Sequence, residues 1–377
     1  MAQPSWIILP RVLRVNRLPD GADLRLTLAP PPSLARLTVS TRVSPANPNP
    51  HRVLAADLSA GLLLTVAAPT PTPPHLPPAN PEYFVLDVIS GTAHRLPGTG
   101  VLSSASPGVI SAPNGGFMVV GFQYLVDSPA ARLHCFSSQT GNWVTRDVNN
   151  PLPSRTWAFD DVIPHDGKLW WVDTAATAGL LSCDPFADNP NMAFVRLPDH
   201  VDDEAADAYG FDSDDSDQSD RRHGFCSYCS AEIPLAFRRR VQLVDGTFRW
   251  VQMACGHMDE AREGAPTLTV LTLLDPEADF GWSLEPDLSF ADIWSSDTYK
   301  AAGLPEYEEP VVALIHPNNP NVLYFFLDGY LFGVDRLAKE VLGRAPHGMA
   351  SISSPSLLAW ELPPALIAAA AAAGGEV

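Results

Sequence analysis

The chain has 377 residues, of which 46% are hydrophobic and 18% charged, with a mean hydropathy of +0.01. These values exclude a wholly disordered chain, and the length suits one large closed all-β domain or two smaller domains. The net charge of −19 would repel nucleic-acid phosphates and anionic lipid headgroups, so we expect neither nucleic acid nor a membrane surface as a partner.

The five cysteines are an odd number in a long chain, which does not indicate a disulfide framework. Residues 1–10 lack the features of a secretory signal, and the longest apolar run near the C-terminus, residues 365–373, is too short to span a bilayer. We therefore expect a monomeric protein of the cytosol or nucleus.

The first predicted elements are strands and hairpins. Apolar or alternating runs bounded by turn-forming residues predict strands in residues 53–66, 116–126, 268–274 and 311–326. Residues 82–96 and 132–148 each consist of a strand, a Ser-Gly or Thr-Gly turn, and a second strand. Their turn glycines, Gly91 and Gly141, lie 50 residues apart, which is close to the period of about 40 to 50 residues that propeller blades show.

A second repeated feature is a hairpin turn with the dipeptide Asp-Gly, which occurs at Asp166, Asp245 and Asp328. Glycine accepts the positive φ of two-residue turns at little cost, and in each case a Leu or Phe and then a Val follow at the same offsets. Because the turns lie 79 and 83 residues apart, we interpret them as one turn in every second blade.

Three segments interrupt the β pattern. Residues 69–81 contain seven prolines, which favours either a stiff extended loop between blades or a ligand for a proline-binding module. Residues 198–222 include the acidic run DSDDSDQSD and predict a disordered insertion. Residues 364–377 form an alanine-rich, partly disordered tail, and the best helix candidates are the tail after residue 364 and residues 335–342.

These elements predict an all-β protein: a single β-propeller of about six blades of antiparallel strands over residues 1–363, with few short helices. Residues 5–15 form a candidate strand that completes the last blade. Most of the nine tryptophans are expected to pack between blades.

The acidic insertion resembles a calcium-binding loop only in Asp212 and Asp214. Its sixth position is Asp217 instead of glycine and its twelfth is His223 instead of glutamate, so a solvated run of charge is the preferred interpretation.

One set of side chains could hold a metal. Cys226, Cys229, Cys255 and His257 carry the soft ligands that zinc binds tetrahedrally, but the single residue between Cys255 and His257 is narrower than the usual spacing. Free thiols are the preferred alternative, and no βαβ unit supports a redox dithiol. We therefore expect neither a metal nor any other cofactor.

No pattern for a catalytic nucleophile or a bound nucleotide occurs: G-x-S-x-G, G-x-x-x-x-G-K-[ST] and G-x-G-x-x-G are all missing. His165 lies close in sequence to Asp160, Asp161 and Asp166, an arrangement that general acid–base chemistry could use. We favour a role for His165 and Asp166 in the turn, and we predict no catalytic residue.

Residues 157–198 carry the most specific motif, WAFDDVIPHDGKLWWVD followed by GLLSCDPFADNPNMAFVRLP. It resembles a plant family, expanded in grasses, that is defined as domain of unknown function sixteen-eighteen. The opening SWIIL, residues 239–253 and the closing WELPP resemble further landmarks of that family. The resemblance implies a propeller distantly similar to kelch and F-box-associated propellers. The family supplies no catalytic residues, and the chain lacks an N-terminal F-box.

Repeats without a catalytic motif favour a non-enzymatic scaffold whose propeller surface binds an unknown protein or peptide. The alternative is a small-molecule-binding or hydrolytic propeller with its site in the central channel. A deep axial pocket lined by Asp, His or Arg would favour the alternative.

Overall fold

A computed structural model describes residues 4–45, 49–67, 81–174, 179–197, 238–254, 265–278, 281–306, 308–349 and 356–372. The proline-rich stretch up to residue 80, the acidic insertion and residues 373–377 therefore lie outside the described residues. The described residues form a mostly β protein with a β-propeller fold, as the sequence predicts.

Blade I consists of four antiparallel strands that form one side of a seven-stranded sheet, and blade II is a four-stranded antiparallel sheet. In both blades consecutive strands are neighbours. The strands of blade I are β5 (His51–Asp57), β6 (Leu62–Ala67), β7 (Glu82–Asp87) and β8 (Thr92–Arg95). Those of blade II are β9 (Ser106–Ser111), β10 (Phe117–Tyr124), β11 (Ala130–Ser137) and β12 (Asn142–Asn149).

Blades III and IV repeat this order. Blade III contains β13 (Asp161–His165), β14 (Lys168–Asp173), β15 (Gly179–Cys183) and β16 (Met192–Arg196). Blade IV contains β17 (Arg239–Val244), β18 (Thr247–Ala254), β19 (Thr267–Leu273) and β20 (Trp282–Leu284), and the short β21 (Leu288–Ser289) also pairs with β19.

Blade V is again sequential, with β22 (Val311–His316), β23 (Asn319–Leu327), β24 (Tyr330–Asp335) and β25 (Glu340–Pro346). Blade VI combines the two ends of the chain. It combines a two-stranded sheet of β26 (Leu357–Glu361) and β1 (Trp6–Pro10) with the pair β4 (Arg36–Ser40) and β3 (Leu24–Thr27), and an isolated bridge between Ile8 and Leu34 links the two parts. β2 (Val12–Asn16) joins β4 to β5 of blade I, so that β2, β3 and β4 continue the sheet of that blade.

The two ends of the chain close the ring. β1 pairs antiparallel with β26 over five residues, from Trp6 opposite Glu361 to Pro10 opposite Leu357. The carbonyl oxygen of Ile8 then accepts a hydrogen bond of 2.8 Å from the Ala35 amide, which attaches the segment leading into β4. The predicted closing strand in residues 5–15 is thus present as β1 and β2.

The first strand of each blade lies nearest the axis, and β5, β9 and β13 contact one another there. β22 contains only apolar residues up to Ile315 and is buried throughout that stretch, because both of its faces are covered. The Gln242 side chain fixes β17 to β22 by donating to the Ile315 carbonyl oxygen and accepting from the Ile315 amide, at 2.7 and 3.0 Å.

The hydrophobic core lies between neighbouring blades, and aromatic side chains fill much of it. Trp170 and Trp250 pack between blades III and IV, and Trp360 packs between blades VI and I. Trp171 of blade III is completely buried and donates from Nε1 to the Ser106 carbonyl oxygen of blade II at 2.9 Å. These contacts place four of the nine tryptophans between blades.

The Asp-Gly turns form as predicted but not in every second blade. Each has positive φ at both residues, for example 48° at Asp166 and 72° at Gly167. Asp166 and Asp245 occupy the first turn of neighbouring blades III and IV, and Asp328 occupies the second turn of blade V. The prediction of alternate blades is wrong for two reasons. Residues 197–238 lengthen the connection between blades III and IV, and Asp328 lies in the second turn of blade V after the long connection of residues 285–310. Gly91 and Gly141 do lie at the same third turn in blades I and II.

The helices differ from the predicted ones. Residues 335–342 do not form a helix: the Asp335 carboxylate accepts bonds from the Leu337 and Ala338 amides in a turn, and Lys339 has a φ of 59° before β25 begins. Two six-residue helices, α1 (Phe290–Ser295) and α2 (Asp297–Ala302), were not predicted. α3 (Pro364–Ala372) forms where a helix was expected after residue 364.

Candidate functional site

A cavity of about 350 Å³ lies on the axis of the ring. Its walls come from the end of β5, from β13, β17 and β26, and from the turn after β22, so blades I, III, IV, V and VI all contribute. Ionisable side chains are prominent among the lining residues: Arg11, Asp57, Asp161, Arg240, Asp245 and Glu361. A second axial cavity of about 470 Å³ lies toward the opposite end of the inner strands, and Arg11 and Asp161 line both cavities.

A buried ion pair crosses the axis between these cavities. Arg11 lies between β1 and β2, and its Nη2 contacts Oδ2 of Asp161 at the start of β13, while its Nη1 donates to the Leu54 carbonyl oxygen at 3.2 Å. The side chains of Arg11 and Asp161 are only 6% and 12% exposed. Breaking such a pair leaves an uncompensated charge in the interior, so the pair holds the closing segment to blades I and III.

Arg240 is the second buried arginine on the axis. Its Nη2 donates to the Leu357 carbonyl oxygen of β26 at 3.0 Å, which bridges blades IV and VI. Burial and the nearby Arg11 lower the pKa of Arg240 to about 10, whereas Asp161 and Asp160 act in the opposite direction. The guanidinium therefore remains charged at neutral pH.

The second cavity is bordered by a buried carboxyl group. Asp160 accepts bonds from the amide and the hydroxyl of Thr174, at 2.8 and 2.5 Å. Burial raises the pKa of Asp160, and these hydrogen bonds offset part of the effect. Next to it Arg155 donates to the fully buried Asp173 at 3.2 Å and lies 3.4 Å from the centroid of the Trp157 ring.

The mouth of the first cavity carries acidic side chains. Asp245 and Glu361 are exposed there, at the ends of β17 and β26. Asp57 is buried, and its oxygens accept bonds from the Ser59 hydroxyl at 2.7 Å and from the Ser111 amide at 2.8 Å. The cavity thus has buried arginines and buried carboxylates inside and two exposed carboxylates at its entrance.

The structure separates His165 from Asp160 and Asp161, two of the three aspartates that lie near it in the sequence. His165 lies at the end of β13, where its Nε2 is 3.3 Å from Asp166 Oδ2 and its ring meets Phe248 edge to face. Asp160 and Asp161 lie at the start of the same strand and line the axial cavities, which His165 does not.

The candidate zinc ligands Cys226, Cys229, Cys255 and His257 lie outside the described residues. Among the residues that the structure describes, no three His, Cys, Asp or Glu side chains are grouped to hold a metal ion. Cys135 and Cys183 are buried thiols whose pKa burial raises to about 11 and about 12. They are small side chains of the hydrophobic core.

Sequence reasoning missed Arg11, Asp57 and Arg240. One local signal was available, because Arg238, Arg239 and Arg240 stand in succession at the start of a predicted strand. All three are at least 93% buried, and arginine is rarely buried unless it is paired.

The sequence of the blades matches known families. Residues 171–324 match the family described as "Protein of unknown function (DUF1618)". The resemblance to this family is confirmed. Residues 95–212 also match the beta-propeller of the family "F-box protein At3g26010-like", in agreement with a distant relation of DUF1618 to F-box-associated propellers. No curated protein matches the chain.

Solved structures of similar architecture are distant from this chain in sequence. The WD40 domain of SCAP from fission yeast is 10% identical with a TM-score of 0.39, and the match covers 91% of this chain and 55% of that one. The alpha-L-arabinanase of Penicillium chrysogenum is 12% identical with a TM-score of 0.38, covering 91% and 87%. The Cps50 (Swd1) beta-propeller domain of Myceliophteria thermophila is 9% identical with a TM-score of 0.37, covering 83% and 96%. These similarities carry no argument about activity or partners.

Proposed function

We propose that the chain is a protein-interaction scaffold whose partner docks a segment into the mouth of the axial cavity. The cavity itself is the observation that carries this proposal. Its lining residues come from positions between 11 and 361 of the sequence, and it opens past the exposed Asp245 and Glu361. A preformed concave site of this kind limits the entropy lost on binding.

The net charge and the helix lengths support the remaining parts of the proposal. The net charge of −19 disfavours nucleic acid and anionic membranes as partners, and the described residues include no helix of the length and apolarity that a bilayer span requires. We propose that the protein acts as a monomer in the cytosol or nucleus.

Two peptide libraries test the scaffold proposal, one attached to its support by the amino ends of the peptides and the other by their carboxyl ends. Twelve-residue peptides anchored by their amino end or by their carboxyl end are selected on the purified protein. Asn318, an exposed turn residue that lines the cavity, is replaced by tryptophan to block the mouth. Asn114→Trp is the matched control, because Asn114 is exposed in the corresponding turn of blade II and does not line the cavity.

Selected peptides should bind the wild type and Asn114→Trp equally and bind Asn318→Trp at least tenfold more weakly. Failure to enrich any peptide, or equal binding to Asn318→Trp, would refute docking at the mouth.

The cavity also favours a second candidate, a small-molecule-binding propeller. Its volume of about 350 Å³ lies within the range of roughly 300 to 1,000 Å³ that ligand pockets occupy, and several charged groups converge on it. Polar small molecules that raise the melting temperature of the wild type and Asn114→Trp, but not of Asn318→Trp, would support this candidate if no peptide is selected.

A further inference from the structure

Basic charge is concentrated in the first 56 residues of the chain. This stretch has seven arginines and only two acidic residues, Asp20 and Asp23, whereas the remaining residues have 17 basic and 41 acidic side chains. An acidic protein therefore contains one stretch of positive net charge. The strands β2, β3 and β4 belong to this stretch, and none of the three contains an acidic residue.

The sheet formed by β2, β4 and β3 has one apolar and one basic face. Alternate residues of the three strands belong to the hydrophobic core, and the residues between them lie on the other face, because side chains alternate along a strand. The register places Arg14 of β2 and Arg25 of β3 on either side of Thr38 of β4. Arg36 is two positions before Thr38 and shares this face. Arg14 and Arg36 are exposed, and Arg25 is half-buried.

The basic face continues onto the first strand of blade I. Arg52 of β5 lies opposite Val12 of β2, which is two positions before Arg14, so Arg52 shares the same side of the sheet. Arg52 is exposed and also lines the second axial cavity. We define the basic face by Arg14, Arg25, Arg36 and Arg52, which follow one another across four neighbouring strands.

The spacing of these arginines matches an extended peptide. Strands lie about 4.8 Å apart and alternate residues of one strand roughly 6.6 Å apart, so the backbone positions of Arg14 and Arg36 are roughly 8 Å apart on the diagonal. An extended peptide presents alternate side chains on one side at intervals of roughly 7 Å. Each guanidinium group can bind a carboxylate through two parallel hydrogen bonds. Acidic residues at every second position would therefore each reach one arginine.

The size and position of the basic face favour a segment of another protein. Four strands span only about 15 Å, which suits one extended chain, whereas a nucleic-acid duplex or a bilayer would also meet the rest of a protein with a net charge of −19. The acidic residues 198–237 of this chain connect blades III and IV. Those blades lie on the side of the six-bladed ring opposite to blades VI and I, which carry the basic face.

We propose that the basic face binds an extended acidic segment of a partner protein, with carboxylates at alternate residues paired with Arg14, Arg36 and Arg52. This surface is separate from the mouth of the first axial cavity. The inference therefore goes beyond the proposed function and does not depend on it.

The test uses a fluorescently labelled nine-residue peptide in which Glu and Ser alternate, and a control peptide with Gln in place of Glu. Binding to the full-length protein is measured by fluorescence anisotropy in 50 mM NaCl. The Glu peptide should bind at least tenfold more tightly than the Gln peptide, and its affinity should fall at least fivefold in 300 mM NaCl, because salt screens exposed charges. Equal affinities of the two peptides would overturn the inference.

A pair of double variants locates the binding surface. Arg14→Gln with Arg36→Gln should weaken binding of the Glu peptide at least tenfold. The matched control is Arg132→Gln with Lys168→Gln, which changes the net charge equally in blades II and III and should bind like the wild type. All four side chains are exposed, so both variants should fold. Equal weakening in the two variants would show that the peptide responds to net charge alone, which contradicts the inference.

Two further measurements test the other occupants. If replacing residues 198–237 by forty Gly and Ser residues strengthens binding of the Glu peptide at least tenfold, the acidic segment of the chain itself occupies the basic face and the inference of a partner fails. The inference also fails if phosphatidylserine vesicles bind the wild type, but not Arg14→Gln with Arg36→Gln, while the Glu peptide does not bind. None of these results affects the comparison with Asn318→Trp, which tests docking at the mouth separately.

Discussion

The ion pair between Arg11 and Asp161 joins residues 150 positions apart in the sequence and is almost inaccessible to water. In this setting the charge of Asp161 matters more than its shape, because without it the guanidinium of Arg11 would stay buried next to an uncharged side chain. The contribution of the pair to stability can therefore be measured by an isosteric substitution.

We predict that Asp161→Asn lowers the free energy of unfolding by about 3 to 5 kcal/mol, the cost typical of removing one member of a buried pair. Asp147→Asn is the control, because Asp147 pairs with Arg132 at 3.4 Å while the two side chains are 83% and 64% exposed. That substitution should cost less than about 1 kcal/mol. Urea denaturation followed by tryptophan fluorescence measures both, and equal effects would contradict the role of the buried pair.

His51 makes stability depend on pH. It is fully buried beside Phe84 at the point where β2 pairs with β5, and burial lowers its pKa from 6.5 to about 4 despite the opposing influence of Glu82. The folded protein thus favours neutral His51, whereas the unfolded chain takes up a proton below pH 6.5. Stability is retained above pH 6.5 and is lost progressively as the pH falls toward 4, by about 3 kcal/mol in total from this residue.

The measurement compares urea unfolding of the wild type and His51→Leu at pH 7.5 and pH 4.5. His134, His316 and His347 also have pKa values lowered by burial, so both proteins should lose stability in acid, and the wild type should lose more. An equal loss in the two proteins would show that His51 does not titrate as proposed.

At the scale of single residues, sequence identified the turn residues and missed the axial ones. Asp166 and Asp245 are recognisable because their conformation is set by their immediate neighbour, glycine. Arg11 and Arg240 acquire their role from residues of other blades, which no local pattern contains.

At the scale of elements, the blades are held in place by the close approach of their backbones. Gly108 of β9 lies against blade III, where a Cβ atom at this position would be 2.5 Å from Val162 Cγ1 and 3.2 Å from Leu169 Cδ2. Glycine is required here by the packing of one blade on the next and not by its own φ angle.

We predict that Gly108→Ala destabilises the protein by about 1 to 3 kcal/mol through overpacking between blades II and III. Gly100→Ala is the matched control, since a Cβ atom there meets nothing within 4 Å, and it should change stability by less than about 0.5 kcal/mol. Thermal unfolding of the two variants measures the difference. A Gly108→Ala variant as stable as Gly100→Ala would show that β9 can move away from β13 without cost.

The sequence could predict those elements whose residue pattern is local. Alternating and apolar runs identified the hairpin of β7 with β8, because strand periodicity is local, whereas the run predicted as a strand in residues 53–66 is divided between β5 and β6. α1 and α2 are six residues each, which is too short for a helical period, and they are fixed by their Ser289 and Ser296 caps and by packing. The turn at residues 335–339 has helix-like composition but is fixed by hydrogen bonds to Asp335.

At the scale of the molecule, ring closure turns distant residues into one site. Pairing of β1 with β26 brings Arg11 next to blades I and III and places Glu361 at the mouth. Sequence could predict the ring from its repeats. It could not predict the axial cavity, because the position of each lining side chain depends on how all blades close.

The connections between blades also test the architecture. Ten residues join β8 to β9 and eleven join β12 to β13, whereas residues 197–238 join β16 to β17. If the distance from the last strand of one blade to the first strand of the next is the same throughout the ring, a connection of eleven residues is also long enough between β16 and β17. Residues 198–237, with eleven acidic and two basic side chains, are then an insertion that the propeller does not need for folding.

We predict that replacing residues 198–237 by nine Gly and Ser residues leaves a cooperatively folding protein, with a free energy of unfolding within about 1 kcal/mol of the wild type. Removing the excess negative charge should also weaken the stabilisation that added salt provides, because salt screens self-repulsion in an acidic protein. Urea unfolding at 20 and 300 mM NaCl measures both effects, and an equally long replacement of residues 198–237 by forty Gly and Ser residues separates length from charge. Loss of the cooperative transition in the short variant alone would mean that eleven residues are too few to connect β16 to β17. Loss of the transition in both variants would mean that the propeller needs residues 198–237 in order to fold.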